Sequence, residues 1–208
     1  YKLGLKRLNF YSISKLTQAG GKLDDETISA FSNFCQEKKI NFYVMYGQTE
    51  ATARMSCLDP KFLPSKIGSI GKAIKKGKFY LIDENDEVIN SPNKVGELCY
   101  LGPNVSMGYA ENINDLSLSD LNKGKLKTGD LSKFDSDGFF YIEGRKKRFI
   151  KVFGNRVSLD RIEKIINEYG FESVANGYDD NVNIYIVAPE HKIQTISKNF
   201  LNKIKLNK

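Results

Sequence analysis

Two short polar runs in this chain carry side chains that could bind a nucleotide. Residues 46–50 read Tyr-Gly-Gln-Thr-Glu, and residues 127–130 read Lys-Thr-Gly-Asp. A threonine hydroxyl can donate to a phosphate, a glutamate carboxylate can hold Mg²⁺, and an aspartate carboxylate can accept from sugar hydroxyls. Thr49, Glu50 and Asp130 are therefore the right residue types for such chemistry. Each run alone is also compatible with a polar surface turn.

The residues before the first run predict a strand, a turn and a helix. Residues 5–16 mix apolar and polar types ahead of Gly20 and Gly21, which predicts a strand running into a turn. Asp24 and Asp25 are good N-cap residues, and apolar residues follow at helical spacing up to residues 38–39. The apolar positions of this amphipathic helix are Ile28, Phe31, Phe34 and Cys35.

A second strand leads directly into the first polar run. Residues 40–45 are short, apolar and rich in strand formers. Strand, helix and strand together indicate an α/β unit, which places ligand groups just beyond the carboxyl ends of its strands. Gln48, Thr49 and Glu50 fall at that position.

The rest of the chain shows two further patterns of apolar and turn residues. Short apolar runs broken by turn residues over 67–142 predict antiparallel strands in a small sheet or open barrel. Beyond Gly144, the pattern predicts strands at 149–150 and 156–157 with a turn at 154–155 between them, and then a helix capped by Ser158 and ended by Gly170. The apolar residues of this helix share one face, and they are Leu159, Ile162, Ile165, Ile166 and Tyr169. Residues 182–187 predict a strand, and an amphipathic helix closes the chain.

Composition restricts the class of protein. The 208 residues are 40% hydrophobic and 27% charged, and no apolar run approaches the ~20 residues of a membrane span. The net charge of +7 suits an anionic partner such as a nucleotide, coenzyme A or an acidic carrier protein, and it would also suit RNA. Because the chain opens on Tyr1 without a methionine or leader, we expect it to be a piece of a longer protein. Cys35, Cys57 and Cys99 predict reduced structural thiols in a cytoplasmic protein.

A third run makes a family resemblance specific. Residues 143–156 read Glu-Gly-Arg-Lys-Lys-Arg-Phe-Ile-Lys-Val-Phe-Gly-Asn-Arg, and they follow the runs at 46–50 and 127–130 in order. Together the three resemble the adenylate-forming ligases, the family of acyl-CoA synthetases and peptide-synthetase adenylation domains. The resemblance covers about residues 20–168. It implies ATP and AMP as nucleotides, Mg²⁺ as the metal, a carboxylic or amino acid as substrate, and coenzyme A or an acyl carrier protein as acceptor.

The resemblance assigns roles to the first loop. It implies that Thr49 contacts the α-phosphate, that Glu50 helps to hold the magnesium, and that Tyr46 packs beside the adenine. Gly47 and Gln48 complete this nucleotide-binding loop.

Further nucleotide contacts are implied elsewhere. Gly20 and Gly21 match a glycine-rich turn whose backbone passes along the adenine, which a residue without a Cβ permits. Asp130 matches an aspartate that accepts hydrogen bonds from both ribose hydroxyls. Ile142 would offer an apolar edge to the nucleoside, although a plain strand residue fits equally well.

The basic run supplies the remaining implied sites. Arg145 matches an arginine that reaches the ribose or phosphate, and Lys147 lies at the family's hinge position. Lys151 matches a lysine used catalytically in the second half-reaction, and Arg156 a basic residue near the ATP phosphates. Arg148 departs from the aspartate that often follows the hinge.

The resemblance also implies a domain plan. Residues 1–143 would end the large adenylation domain, with an α/β portion at 1–62 and a β-rich, barrel-like antiparallel subdomain at 63–143. Residues 144–148 would form the hinge, and residues 149–208 part of the small mobile α+β C-terminal domain. The expected fold class is accordingly α/β and α+β.

Two family motifs are missing from these residues. Neither the Ser/Thr/Gly-rich phosphate loop ending in Pro-Lys nor the late Gly-Lys near the C-terminus is present, since the Gly-Lys pairs begin at 21, 71, 77 and 124. We therefore expect a fragment that is inactive alone. The alternative is a non-catalytic basic module of ligase ancestry that binds RNA or an acidic protein, because four consecutive cations at 145–148 also suit a nucleic-acid patch.

Overall fold

The computed structural model describes residues 12–152, 155–178 and 180–204, without the side chains of Arg156, Asn199 and 201–204. The chain divides into two compact units, residues 1–143 and 144–208. Each unit is built around its own apolar core.

The first unit begins with an α/β arrangement. Strand β1 (Lys15–Gln18) and strand β2 (Asn41–Tyr46) pair in parallel on either side of helix α1 (Asp25–Glu37) in the chain. Asp24 caps the helix, because its Oδ1 accepts from the Thr27 N–H at 2.7 Å. The helix then buries Ile28, Phe34 and Cys35. The strand, helix and strand predicted from the sequence are confirmed here, while residues 5–11 of the first predicted strand lie outside the described residues.

The remaining strands of this unit extend the same sheet. They are β3 (Ser56–Leu58), β4 (Ser69–Ala73), β5 (Lys78–Ile82), β6 (Val88–Ile89), β7 (Gly96–Leu101), β8 (Lys125–Phe134) and β9 (Phe140–Arg145). Their order across the nine-stranded sheet is β1-β2-β3-β4-β9-β8-β7-β5-β6. The pairs β2–β3, β3–β4, β4–β9, β5–β7 and β7–β8 are antiparallel. The sheet is open, and the described strands form no closed barrel.

Two apolar cores lie against this sheet. One joins α1 and β2 to Leu58, Leu63 and Phe139. The other is centred on Phe79, Leu98 and Tyr100, with Tyr46 and Ile142 packed against it. Residues from the α/β part and the β-rich part thus share both cores.

The second unit consists of two hairpins and two helices. Its elements are β10 (Phe149–Val152), β11 (Asn155–Ser158), α2 (Leu159–Asn167), β12 (Glu172–Tyr178), β13 (Asn181–Val187) and α3 (Glu190–Ile204). Ser158 caps α2 as predicted, accepting from the Arg161 N–H at 3.2 Å. Three details differ from the sequence prediction: α2 ends before Tyr169, Asn155 lies in a strand, and β12 was not predicted.

Other sequence-level expectations concern the cysteines and the membrane. Cys35, Cys57 and Cys99 form no disulfide. Burial raises the pKa of Cys35, and it raises the pKa of Cys99 to about 11, so both sulfurs are held as thiols. None of the helices in the described part of the chain could span a bilayer.

Candidate nucleotide-binding site

The predicted loop begins where β2 ends and connects β2 to its antiparallel neighbour β3. Gly47 passes so close to the next turn that a Cβ would lie 2.5 Å from the Ala53 carbonyl carbon and 2.8 Å from the Arg54 nitrogen. Only glycine fits without moving backbone. The loop then makes a 3₁₀ turn, Thr49–Ala51, in which Thr49 is exposed, Glu50 half-buried and Ala51 fully buried.

Three of the predicted residues are in direct contact. The Tyr46 hydroxyl donates to Oδ2 of Asp130 at 2.6 Å. Gln48 Nε2 donates to the same oxygen at 3.1 Å and to the Thr128 carbonyl at 2.9 Å. Asp130 is 4% exposed, so these hydrogen bonds fix a carboxylate that is almost out of solvent. The structure thus brings together Tyr46, Gln48 and Asp130, although Asp130 lies 84 positions after Tyr46 and 82 positions after Gln48 in the chain.

A bulge in β8 sets the position of Asp130. Glu97 pairs with Leu131 and Cys99 pairs with Lys127, so the three residues 128–130 lie opposite Leu98 alone. Thr128 Oγ1 donates to the Leu98 carbonyl at 2.8 Å and accepts from the Asp130 N–H at 3.1 Å. Gly129 has a φ of +69°, a backbone conformation that glycine adopts readily. The Thr-Gly-Asp sequence therefore encodes a bulge that holds the aspartate.

The glycine turn lies at the same edge of the sheet as the loop after β2, because β1 and β2 are parallel neighbours. Gly20 has a φ of +91°, and a Cβ on either Gly20 or Gly21 would meet nothing within 4 Å. Lys22 ties this turn to β9, donating from Nζ to the Ile142 carbonyl at 2.9 Å. Ile142 itself is half-buried against the core that includes Tyr46.

A second loop, residues 102–109, is hydrogen-bonded to the turn that carries Glu50. The Ser106 N–H donates to the Glu50 carbonyl at 2.7 Å, and Asn104 Nδ2 donates to the Ala51 carbonyl at 2.6 Å. The Tyr109 hydroxyl donates to Glu50 Oε1. That hydrogen bond raises the pKa of Tyr109, so the phenol keeps its proton.

The metal site implied by the resemblance concerns the loop after β2. No group of three or more His, Cys, Asp or Glu side chains that could hold an ion occurs within 12–152, 155–178 and 180–204. Mg²⁺ in nucleotide sites is commonly bound by one or two carboxylates together with phosphate oxygens and water. Glu50 carries the carboxylate that the resemblance assigns to this metal, and the assignment stays a prediction.

Comparison with known proteins assigns the chain to a family. A family model described as AMP-binding enzyme matches residues 3–110, just over half of the chain. The chain belongs to the AMP-binding enzyme family. The resemblance inferred from the three motifs is therefore confirmed.

Relatives in this family are named as CoA ligases. The 2-succinylbenzoate–CoA ligase of Bacillus cereus is 33% identical over 132 residues, which is 64% of this chain and 27% of the relative. The enzyme of the same name from Geobacillus sp. (strain WCH70) is 32% identical over 148 residues, 70% of this chain and 30% of the relative. The chain therefore spans less than a third of these relatives.

Solved structures show the same fold. The o-succinylbenzoate CoA synthetase of Bacillus subtilis in complex with its acyl-adenylate intermediate matches with a TM-score of 0.72 and 25% identity, covering 94% of this chain and 42% of that one. The same enzyme in complex with ATP and magnesium ion matches with a TM-score of 0.70 and 26% identity, covering 97% and 43%. The α/β and α+β fold class is confirmed.

The remaining predicted residues belong to the second unit of this AMP-binding enzyme chain. Arg145 is exposed at the end of β9, and Lys147 is exposed in the 3₁₀ turn Lys146–Arg148. Lys151 is exposed on β10, where its backbone pairs in register with Arg156 of β11. The side chain of Arg156 lies outside the described residues.

Arg148, which departs from the family pattern, organises the second unit. Its Nε donates to Asp160 Oδ1 at 2.7 Å, its Nη2 to Glu163 Oε1 at 2.6 Å and its Nη1 to the Ala175 carbonyl at 2.8 Å. Glu163 also accepts from the Ala175 N–H at 2.8 Å. This guanidinium is engaged by carboxylates, which lowers the positive charge that the basic run could offer to a nucleic acid.

Sequence analysis missed three residues of the first-unit site. The sequence indicated Thr128 only as part of its run and Asn104 only as one of the turn residues within 67–142, and it did not indicate Tyr109. Thr128 could have been found, because a threonine before a glycine in a strand suits a bulge. For Asn104 and Tyr109, a polar or aromatic residue in a Gly- and Asn-rich loop carries no distinguishing signal.

Proposed function

We propose that this chain is part of an ATP-dependent ligase that activates a carboxylic or amino acid as an acyl-AMP and transfers the acyl group to a thiol. The thiol belongs to coenzyme A or to the phosphopantetheine arm of a carrier protein. The observation that carries the proposal is the contact of Tyr46, Gln48 and Asp130 next to the turn with Thr49 and Glu50. The names of the relatives and the acyl-adenylate bound to the Bacillus subtilis enzyme support it.

The buried carboxylate is suited to binding the ribose. Hydrogen bonds from Tyr46 and Gln48 orient Asp130, so its carboxylate need not reorganise when it accepts from the two sugar hydroxyls. The Tyr46 ring and Ile142 offer apolar surface to the nucleoside. Gly20 and Gly21 leave open space in which the turn's backbone can approach the flat adenine.

The turn after β2 is suited to the phosphates. The Thr49 hydroxyl is exposed and donates to the α-phosphate, where negative charge accumulates while pyrophosphate leaves. The Glu50 carboxylate holds Mg²⁺. When bound, the metal supplies positive charge that stabilises the departing pyrophosphate.

The second unit completes the two half-reactions. Arg145 and Arg156 contact the nucleotide's ribose or phosphates, and Lys151 acts in thioester formation. Lys147 is the hinge between the two reactions, which is consistent with its place in a short 3₁₀ turn next to the boundary of the two compact units. The domain plan of residues 1–143, 144–148 and 149–208 is part of this proposal. A cytoplasmic location stays a prediction.

The test is pyrophosphate release by the full-length protein with ATP, Mg²⁺ and a panel of aromatic, fatty and amino acids that includes 2-succinylbenzoate. We expect one class of acid to stimulate release. Asp130→Asn should lower the affinity for AMP about 10- to 100-fold, because an amide replaces a charged acceptor at the ribose. The 208 residues alone should catalyse no ATP–pyrophosphate exchange.

The contrary result would be full-length protein that releases no pyrophosphate with any acid. If that protein instead bound generic RNA with a steep dependence on salt, the non-catalytic alternative would replace the ligase. No described contact favours this alternative.

A further inference from the structure

The loop 102–109 is built to hold the turn after β2. It makes backbone or side-chain hydrogen bonds to two consecutive residues of that turn, from Ser106 to Glu50 and from Asn104 to Ala51. Asn104 is itself oriented by the Tyr100 hydroxyl, which donates to its Oδ1 at 2.8 Å. Tyr100 is fully buried, so this chain of contacts runs from the core through Asn104 to Ala51, the residue after Glu50.

Tyr109 extends this support to the Glu50 side chain. The backbone before it is held at two points: the Leu121 N–H donates to the Met107 carbonyl at 2.8 Å, and Asn122 Nδ2 donates to the Ser106 carbonyl at 2.8 Å. From there the Tyr109 hydroxyl donates to Glu50 Oε1, while the ring remains 74% exposed. Tyr109 therefore does not contribute to the apolar core, and its hydrogen bond to the Glu50 carboxylate is the contact that suggests a role for it.

We propose that Tyr109 is a positioning residue that holds the Glu50 carboxylate ready for the divalent cation carried by the nucleotide. The inference rests on the proposed function, because Glu50 is the metal carboxylate there. In this role Tyr109 acts through the Glu50 carboxylate.

A phenol suits this task for two physical reasons. A free glutamate side chain samples several rotamers, and fixing it before the cation arrives removes part of the entropic cost of binding. The phenol is also a neutral donor, so it orients the carboxylate without cancelling its charge as lysine or arginine would. Partners that orient a metal ligand in this way typically change metal affinity about 10- to 100-fold when they are removed.

The test measures cation binding rather than turnover. Mn²⁺ is titrated into full-length protein saturated with α,β-methylene ATP, and bound Mn²⁺ is followed by electron paramagnetic resonance. Tyr109→Phe should weaken Mn²⁺ binding about tenfold, at the lower end of the usual range because the site is exposed. AMP binding without metal should not change. The matched control is Tyr178→Phe, which removes a hydroxyl from a tyrosine that is 70% exposed in the second unit.

A second comparison isolates the contact itself. In a Glu50→Gln background, Tyr109→Phe should cause no further loss of Mn²⁺ affinity, because the carboxylate that Tyr109 orients is already absent. Additive losses would overturn the proposal, since Tyr109 would then act by another route. Unchanged Mn²⁺ affinity in Tyr109→Phe would also overturn it and leave the proposed function intact.

Two outcomes separate this inference from the function on which it rests. If the unaltered protein binds no Mn²⁺ with the nucleotide analogue, the metal role of Glu50 fails and this inference fails with it. If the unaltered protein binds Mn²⁺, Tyr109→Phe weakens that binding, and no acid stimulates pyrophosphate release, the ligase function alone is wrong.

Discussion

Removing the Tyr46 hydroxyl tests whether the site is organised around a buried carboxylate. In Tyr46→Phe the ring can still make its edge contact with Phe79, whose centroid lies 6.2 Å away. The substitution removes the hydroxyl, which donates to Asp130 Oδ2 at 2.6 Å and accepts from Gln48 Nε2 at 3.4 Å. Because Asp130 is 4% exposed, water cannot readily replace that donor.

The expected magnitude follows from the charge of the acceptor. A hydrogen bond to an ionised group contributes about 1.5–3 kcal/mol, and Gln48 Nε2 remains as a second donor to the same oxygen. We therefore expect the free energy of local opening of β2 and β8 to fall by about 1.5–3 kcal/mol. Since about 1.4 kcal/mol is a factor of ten, amide hydrogen exchange in these strands should be about 10- to 150-fold faster.

The assay is hydrogen exchange followed by mass spectrometry on peptides that cover residues 41–46 and 125–134. Tyr43→Phe, in the same strand, is the matched control for loss of a hydroxyl. The double variant Tyr46→Phe with Asp130→Asn should lose less than the sum of the single variants, because the two side chains are coupled. Exchange in Tyr46→Phe that matches the unaltered protein would refute the reasoning, since the carboxylate would then not depend on this phenol.

Two further predictions concern glycine geometry and pH. Gly129→Ala should cost only about 1–2 kcal/mol, because its φ of +69° is strained for alanine but a Cβ there meets nothing within 4 Å. Gly71 has a φ of +80°, and a Cβ there would lie 2.3 Å from the Cys57 carbonyl oxygen, so Gly71→Ala should lower the free energy of unfolding by about 4 kcal/mol or more. Urea denaturation measures both variants, and equal losses of stability would contradict the expected difference between the two glycines. Burial acts to raise the pKa of Glu163, but hydrogen bonds from the Ala175 N–H and Arg148 outweigh it and hold that pKa below its usual range. This stabilisation is present above the unfolded value near 4.5 and is lost as pH falls through the lower folded pKa. Arg148→Met should therefore unfold at a lower temperature than the unaltered protein at neutral pH, and this difference in unfolding temperature should become smaller at acid pH. A difference in unfolding temperature that does not depend on pH would refute the prediction.

Elements fixed by local chemistry were predicted from the sequence. Helix α1 was predicted because Asp24 caps it and its apolar residues recur on one face, and both features act within a few residues. Helix α2 followed from Ser158 in the same way. Strand β12 was missed because Asn176 and Gly177 form a dipeptide typical of turns, and the strand exists only because β13 pairs with it along its whole length.

The residues of the site were predicted through the family resemblance, whereas their contacts were not. The types of Tyr46, Gln48 and Asp130 suggested nucleotide binding, yet nothing local indicates that Tyr46 donates to Asp130. Such a contact depends on strand order and on the shape of the sheet. The same is true of Tyr109 and Glu50, whose contact depends on how two loops meet.

The shape of the sheet explains how two distant runs form one site. Strand order places β2 and β8 four positions apart, so a flat sheet with strands about 4.8 Å apart would separate them by about 19 Å. The Tyr46 hydroxyl nevertheless lies 2.6 Å from Asp130, which is possible only if the sheet curls between them. Strand β4 lies within that interval, and it shows a register shift at Ser69 and Gly71 and a positive φ at Gly71. Because bulges increase local bending and twist, we infer that this irregularity in β4 turns the sheet and brings the Asp130 carboxylate to the end of β2.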